Sequence, residues 1–244
     1  MQTHIFKTAQ QVGQAAATLI AAQLLRKPDS ILGLATGSSP IPTYEALIHM
    51  HRQGVLDFAR ATSFNLDEYV GLAPGHPCSY HYFMQEHLFR HVNIRPENVH
   101  IPDGSAADLQ AAAHAYDAAI LAAGGIDLQL LGIGRNGHIG FNEPGEHFVY
   151  GCHKVRLSES TIEANKRFFT SEAEVPRHAV SLGIGSIMQS RQVLLIATGE
   201  EKAEAVRRAL EGDVSPLWQA SILRTHPDVI FLLDQAAASR LTRR

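Results

Sequence analysis

The chain has 244 residues, 45% of them hydrophobic and 18% charged, so it can bury a sizeable core and is not a disordered polymer. A formal net charge of −3 without any basic run argues against nucleic acid as a partner. No stretch reaches the roughly 18 apolar residues of a membrane span, and the first residues lack a signal-peptide layout, so a cytoplasmic protein with no membrane partner is expected.

Residues 8–25 carry Val12, Ala16, Leu19 and Ile20 on one face at helical spacing, and Pro28-Asp29-Ser30 closes that helix. Residues 31–35 are a short apolar run, read as a buried strand. Thr36, Gly37, Ser38 and Ser39 follow, and Pro40 stands where a helix would begin, running to about His51. Residues 62–66 form a second short strand that ends in Asp67-Glu68-Tyr69. A Pro/Gly loop leads to a helix over 79–90, and residues 96–103 read as a connection. Leu109, Ala113, Tyr116 and Ile120 mark another helix, closed by Gly124-Gly125. The run 127–132 is a central strand that opens into a loop rich in glycine. Residues 146–156 read as a lid or an extended excursion, and 160–169 as helical. Strands are expected at 179–184, 193–199 and 229–233, with a charged helix over 200–210 and a short helix starting at Ser215. A polar tail ends the chain.

Strands and helices alternate throughout, and no linker divides them. The pattern predicts an α/β protein: a single-domain (1–244), doubly wound, mostly parallel sheet with helices on both faces, Rossmann-like. Cys78 and Cys152 have no metal or redox spacing and read as free thiols. The fourteen histidines form no HExxH pattern, so no metal is expected.

Three stretches have the composition of a site. The loop 36–39 offers backbone N–H groups, three hydroxyls and a helix N-terminus to an anion, although a serine-capped βα turn reads the same way. Asp67 lies just past a strand, where parallel sheets place catalytic groups; a turn carboxylate is the plainer reading. Asp67 and Glu68 are adjacent, so at most one faces a site if the strand continues. The loop after the central strand holds Asn136, His138 and Glu143 among glycines. A histidine moves protons at neutral pH only if its ring is held, and an amide and a carboxylate nearby can hold it. Lys166, Arg167 and Lys202 are cations that either face solvent or reach a ligand.

The runs Leu-Gly-Leu-Ala-Thr-Gly-Ser-Ser-Pro at 32–40, Phe-Asn-Leu-Asp-Glu-Tyr-Val-Gly-Leu at 64–72 and Gly-Ile-Gly-Arg-Asn-Gly-His-Ile-Gly-Phe-Asn-Glu-Pro at 132–144 resemble the glucosamine-6-phosphate deaminase (glucosamine/galactosamine-6-phosphate isomerase) family. The likeness runs essentially end to end and includes Ala-Asn-Lys-Arg-Phe-Phe at 164–169. It implies conversion of glucosamine 6-phosphate and water to fructose 6-phosphate and ammonia, with no redox cofactor and no required metal. It also implies roles. Asp67 would move the C2 proton, and His138 would open the pyranose ring with Glu143 and Asn136 in support. Thr36, Gly37, Ser38 and Ser39, with Arg167 and Lys202, would hold the phosphate.

The better-known branch of that family has Asp where this chain has Asn136. The branch activated by N-acetylglucosamine 6-phosphate is basic and hydroxyl-rich where this chain reads Gly145-Glu146-His147-Phe148 onward. The resemblance therefore implies a non-allosteric enzyme, a monomer or small homo-oligomer. A 6-phosphogluconolactonase-like hydrolase and a non-catalytic sugar-phosphate-binding effector domain are the alternatives. The first would not need Asp67, and the second predicts an attached helix-turn-helix.

Overall fold

The computed structural model describes residues 1–242, so the last two residues of the expected polar tail lie outside it. In chain order it runs β1 (Gln2–Phe6), α1 (Ala9–Arg26), β2 (Ile31–Leu34), α2 (Ile41–Arg52), β3 (Thr62–Asn65), β4 (Asp67–Tyr69), α3 (Tyr80–His87), β5 (Val99–His100), α4 (Leu109–Ala122) and β6 (Leu128–Leu131). There follow β7 (His153–Arg156), α5 (Glu159–Asn165), β8 (His178–Ser181), α6 (Ile184–Met188), β9 (Gln192–Ala197), α7 (Ala203–Glu211) and β10 (Val229–Asp234).

Seven strands form one sheet in the order β1-β10-β9-β6-β2-β3-β5, with every pair parallel. Alternate strand residues feed two cores. Leu32, Leu34, Leu128, Leu130, Leu194 and Ile196 pack against α1 and α2. Ile31, Phe64, Leu131, Val193, Leu195 and Phe231 pack against α4, α6 and α7. Burial on both faces is why these strands read as unbroken apolar runs. The fold is the single-domain α/β architecture expected from the sequence.

From β2 the sheet grows one way through β3 and β5. From β6 it grows the other way through β9 and β10. The order therefore reverses between β2 and β6, and a crevice opens beyond their C-terminal ends.

A second, three-stranded antiparallel sheet, β4-β8-β7, was not foreseen. Leu66 is the corner between the two sheets: its N–H donates to Leu34 in the first, and its carbonyl accepts from Leu182, just past β8 of the second. The expected excursion over 146–156 thus ends as a strand. The expected strand 179–184 stops at Ser181, and Ile184 opens α6. The helix expected at Ser215 is displaced. Ser215 bridges to Trp218, and a 3-10 helix follows over Gln219–Thr225. The strand β1 was missed because its side chains sit at an open sheet edge, so no apolar run marks it. In the tail, Ala237, Ala238 and Leu241 are buried against the core.

Candidate active site

The crevice at the reversal is a cavity of about 290 Å³. Its walls come from the loops after β2, β6 and β9, from the corner after β3, and from α5 with the turn behind it. Of the residues singled out in the sequence, Thr36, Gly37, Ser38, Ser39, Asp67, Asn136, His138, Arg167 and Lys202 all line it. Glu143 stands behind the wall and reaches it through His138.

Asp67 opens β4, where the chain turns out of the main sheet, and it is 6% exposed. No hydrogen bond to its carboxylate is present among the described residues, and Oδ2 lies against Gly140 of the facing loop. Burial first, and then the charge of Glu68, push the Asp67 carboxyl up to about 8. Glu68 points the other way. Its carboxylate accepts the N–H groups of Tyr69, Tyr80 and His81 at 2.8 to 2.9 Å and so caps α3. The adjacent pair thus divides as the alternation of a strand requires.

The loop after β6 is folded around His138. The carbonyl of His138 accepts from Gly134 N–H at 2.8 Å, and the imidazole lies over Gly134. A Cβ at residue 134 would sit 2.5 Å from ring atoms Cε1 and Nε2, so only glycine lets the ring occupy this place. His138 Nδ1 faces Glu143 Oε2 at 3.4 Å and Thr161 Oγ1 at 3.5 Å. Nε2 has no protein partner among the described residues, which leaves it for a ligand.

Glu143 is held from several sides. Asn136 Nδ2 donates to its Oε2 at 2.8 Å, Ser158 Oγ donates to the same oxygen at 3.0 Å, and Ser158 N–H donates to Oε1 at 3.2 Å. Burial works against its charge. The hydrogen bond and charge of His138, with hydrogen bonds from Thr161 and Ser158, outweigh burial and bring the carboxyl down to about 2. Among the hydrogen bonds of the described residues, none joins Asn136 to the imidazole. Asn136 accepts the backbone N–H of His138 at 3.2 Å and steers the ring through Glu143. Gln219 fixes the far end of the loop, its amide donating to the carbonyls of Glu143, His147 and Pro216.

The other end of the cavity gathers hydroxyls, a helix start and cations. Gly37 takes a φ of +93°, a left-handed turn that suits glycine, and aims the loop at the start of α2. No side chain caps α2, and with Pro42 at its second position the Ile41 N–H is the one left at the mouth of the loop. Arg167 reaches Ser38 Oγ at 3.4 Å. Burial lowers the pKa of Lys202; the positive charges of Arg135 and Arg167 add to this, while Glu201 opposes it. Lys166, the other cation of that run, pairs with Glu163 at 2.6 Å.

Sequence reasoning missed Arg135, Tyr80, Ser158 and Thr161. Tyr80 lines the cavity, with its hydroxyl 3.3 Å from that of Tyr69 and hydrogen-bonded to Thr36. Ser158 has a legible signal as the cap of α5, but its second duty, holding Glu143, has none.

The family model described as glucosamine-6-phosphate isomerases/6-phosphogluconolactonase matches residues 6–231. The glucosamine-6-phosphate deaminase of Clostridioides difficile is 52% identical over 241 residues, covering 99% of this chain and 97% of that protein. That of Arthrobacter sp. is 54% identical, with 99% and 93% covered. A solved structure of a monomeric glucosamine-6-phosphate deaminase superposes with a TM-score of 0.96 at 45% identity, covering 98% of this chain and 99% of that one. The 6-phosphogluconolactonase of Trypanosoma brucei shares the fold, with a TM-score of 0.78 at 24% identity and coverage of 99% and 98%. The chain belongs to the glucosamine-6-phosphate isomerase/6-phosphogluconolactonase family, and it stands among the family's glucosamine-6-phosphate deaminases.

Proposed function

We propose that this cavity carries out the deaminase reaction of those relatives, glucosamine 6-phosphate and water giving fructose 6-phosphate and ammonia, with Asp67 and His138 as its two proton movers. The observation that carries this reading is a buried carboxylate, without hydrogen-bond partners among the described residues, sharing one cavity with a carboxylate-backed histidine. The substrate's C2 proton becomes acidic only when C1 is a carbonyl, so the ring must open first. His138 Nε2 takes the proton from the anomeric hydroxyl and returns one to the ring oxygen, while Glu143 stabilises the imidazolium between the two transfers. Asp67 then removes the C2 proton. Delivery of a proton to C1 leaves an imine at C2; water adds there, and ammonia departs. Thr36, Gly37, Ser38 and Ser39, with Arg167 and Lys202, bind the phosphate and so position the reacting end. The reading takes 1–244 as one catalytic domain, acting in the cytoplasm as a monomer or small homo-oligomer, with no cofactor.

The test is a coupled assay for ammonia and fructose 6-phosphate, run beside hydrolysis of 6-phosphogluconolactone. Ammonia release without lactone turnover is expected. Lactone turnover without ammonia would overturn the reading.

Asn136→Asp places a carboxylate 2.8 Å from Glu143 Oε2, where an amide now donates. The added negative charge favours protonated forms nearby, so the acid limb of the pH–rate profile should move upward. An unchanged profile would remove charge at residue 136 as a factor.

Glu146 is exposed after the Asn-Glu-Pro run and repels a phosphate. Hyperbolic kinetics without activator are expected. A sigmoidal curve made hyperbolic by N-acetylglucosamine 6-phosphate would contradict this.

A further inference from the structure

We propose that Arg135 is a third cation of the phosphate end, gripping the substrate from the same loop that carries His138. The inference rests on the deaminase reading above for the identity of the anion, not for the existence of the site.

The sheet order supplies the first argument. β6 lies between β2 and β9. The loop after β2 brings Thr36 to Ser39, and the loop after β9 leads to Lys202. Arg135 sits on the loop between these two, and its side chain lines the same cavity. An anion held between the flanking loops would occupy the cavity that Arg135 also lines.

The second argument is the state of the guanidinium. Among the described residues it has no hydrogen bond and no carboxylate within ion-pair distance. The residue is exposed, so the guanidinium is open to a ligand entering the cavity it lines. Its charge also reaches the ammonium of Lys202, as does that of Arg167. Three cations therefore converge where Glu201 is the carboxylate that faces them. Held together unliganded, such a group repels itself, and a phosphate dianion relieves the repulsion.

The third argument is position along the chain. Arg135 is flanked by Gly134, which carries the His138 ring, and by Asn136, which holds Glu143. Arg167 approaches from the α5 side and Lys202 from the α7 side. Arg135 is thus the cation that meets a bound phosphate from the loop carrying His138.

The test uses Arg135→Gln and Arg135→Lys in the full chain. For each we would measure KM and kcat for glucosamine 6-phosphate, and calorimetric binding of inorganic phosphate. Arg135→Gln should raise KM and weaken phosphate binding in parallel, each by about tenfold, as expected for one lost charge-assisted contact. Its kcat should stay within about twofold, because uniform binding is lost without touching the reacting atoms. Arg135→Lys should restore both constants to within about threefold of wild type, since a point charge suffices for a phosphate. If the Gln variant leaves KM and phosphate binding unchanged, the proposal fails. It fails equally if kcat drops while both constants hold, because Arg135 would then serve the loop and not the substrate. Phosphate binding needs no turnover. A wild type that releases no ammonia, yet loses phosphate affinity on Arg135→Gln, would overturn the deaminase reading and leave Arg135 at an anion site.

Discussion

Asp67→Asn should lower kcat for ammonia release by about 10³-fold while leaving KM within a fewfold, because a general base for proton transfer from carbon is worth roughly 10²–10⁴. The asparagine fills the same space between Gly140 and the cavity. It cannot accept the C2 proton, and it leaves the phosphate end untouched. The pH dependence follows from the same burial. With the Asp67 carboxyl pushed up to about 8, the free enzyme gains its base as pH rises, so kcat/KM should climb and level off near that value. The variant should also be more stable. Native Asp67 keeps a proton that the unfolded chain releases above its ordinary value of 3.8. Stability is therefore lost progressively as pH rises from 3.8 towards about 8. Asparagine has no such proton. A thermal melt at pH 8 should show the variant several degrees above wild type, and the two should converge near pH 4. A variant that keeps its activity would mean the base is misassigned. A variant that melts lower at pH 8 would mean that the buried charge carries no penalty.

That trade of stability for reactivity marks what could be read in the sequence. The strands β2, β3, β6, β9 and β10 are short apolar runs because both sheet faces are covered, and a pattern that strong survives without context. The second sheet left no such trace. β7 alternates half-buried and exposed residues, His153 to Arg156, and β4 is three residues long. Nothing in Asp67-Glu68-Tyr69 announces that the chain changes sheets at Leu66. Yet that corner is what buries one carboxylate in the cavity and sends its neighbour to cap α3.

The site itself was legible where it lies on contiguous motifs. Thr36 to Ser39 and Asn136 to Glu143 sit after strands, and their glycines point to backbone that must bend. The contacts between motifs were not legible. Asn136 looked like a partner for the imidazole, whereas it works through Glu143. Ser158 and Thr161 join that network from fifteen or more residues away, across a fold boundary that periodicity does not encode. Arg135 was hidden in plain view, inside a motif whose histidine took the attention. Its signal is a basic residue on the loop of the middle strand, and it acquires meaning only once β2 and β9 are known to flank that strand.

Glu143→Gln should lower kcat by about 10²–10³, and it should do so at a different step from Asp67→Asn. Glu143 is the carboxylate that meets the imidazole, 3.4 Å from Nδ1, and its carboxyl titrates near 2, so it is charged across any working range. Glutamine removes that charge. Its NH2 must take one of the two oxygen positions, against Ser158 N–H at the Oε1 place or against Asn136 Nδ2 and His138 Nδ1 at the Oε2 place. Either way two donors meet in the network that holds the ring, and the imidazolium loses its counter-charge. Ring opening then slows while Asp67 remains intact. Substrate deuterated at C2 separates the two variants. In Asp67→Asn, proton transfer from C2 limits the rate and the isotope effect is fully expressed. In Glu143→Gln, ring opening limits the rate, and the isotope effect should fall to near unity. Stability supplies an independent check with the opposite sign to Asp67. A carboxyl lowered from 4.5 to about 2 stabilises the native state above 4.5, and that contribution is lost as pH falls through about 2. Glu143→Gln should therefore melt below wild type at neutral pH and approach it near pH 2. An isotope effect as large in Glu143→Gln as in Asp67→Asn would place both carboxylates on the same step, and the division of labour between the two loops would be wrong.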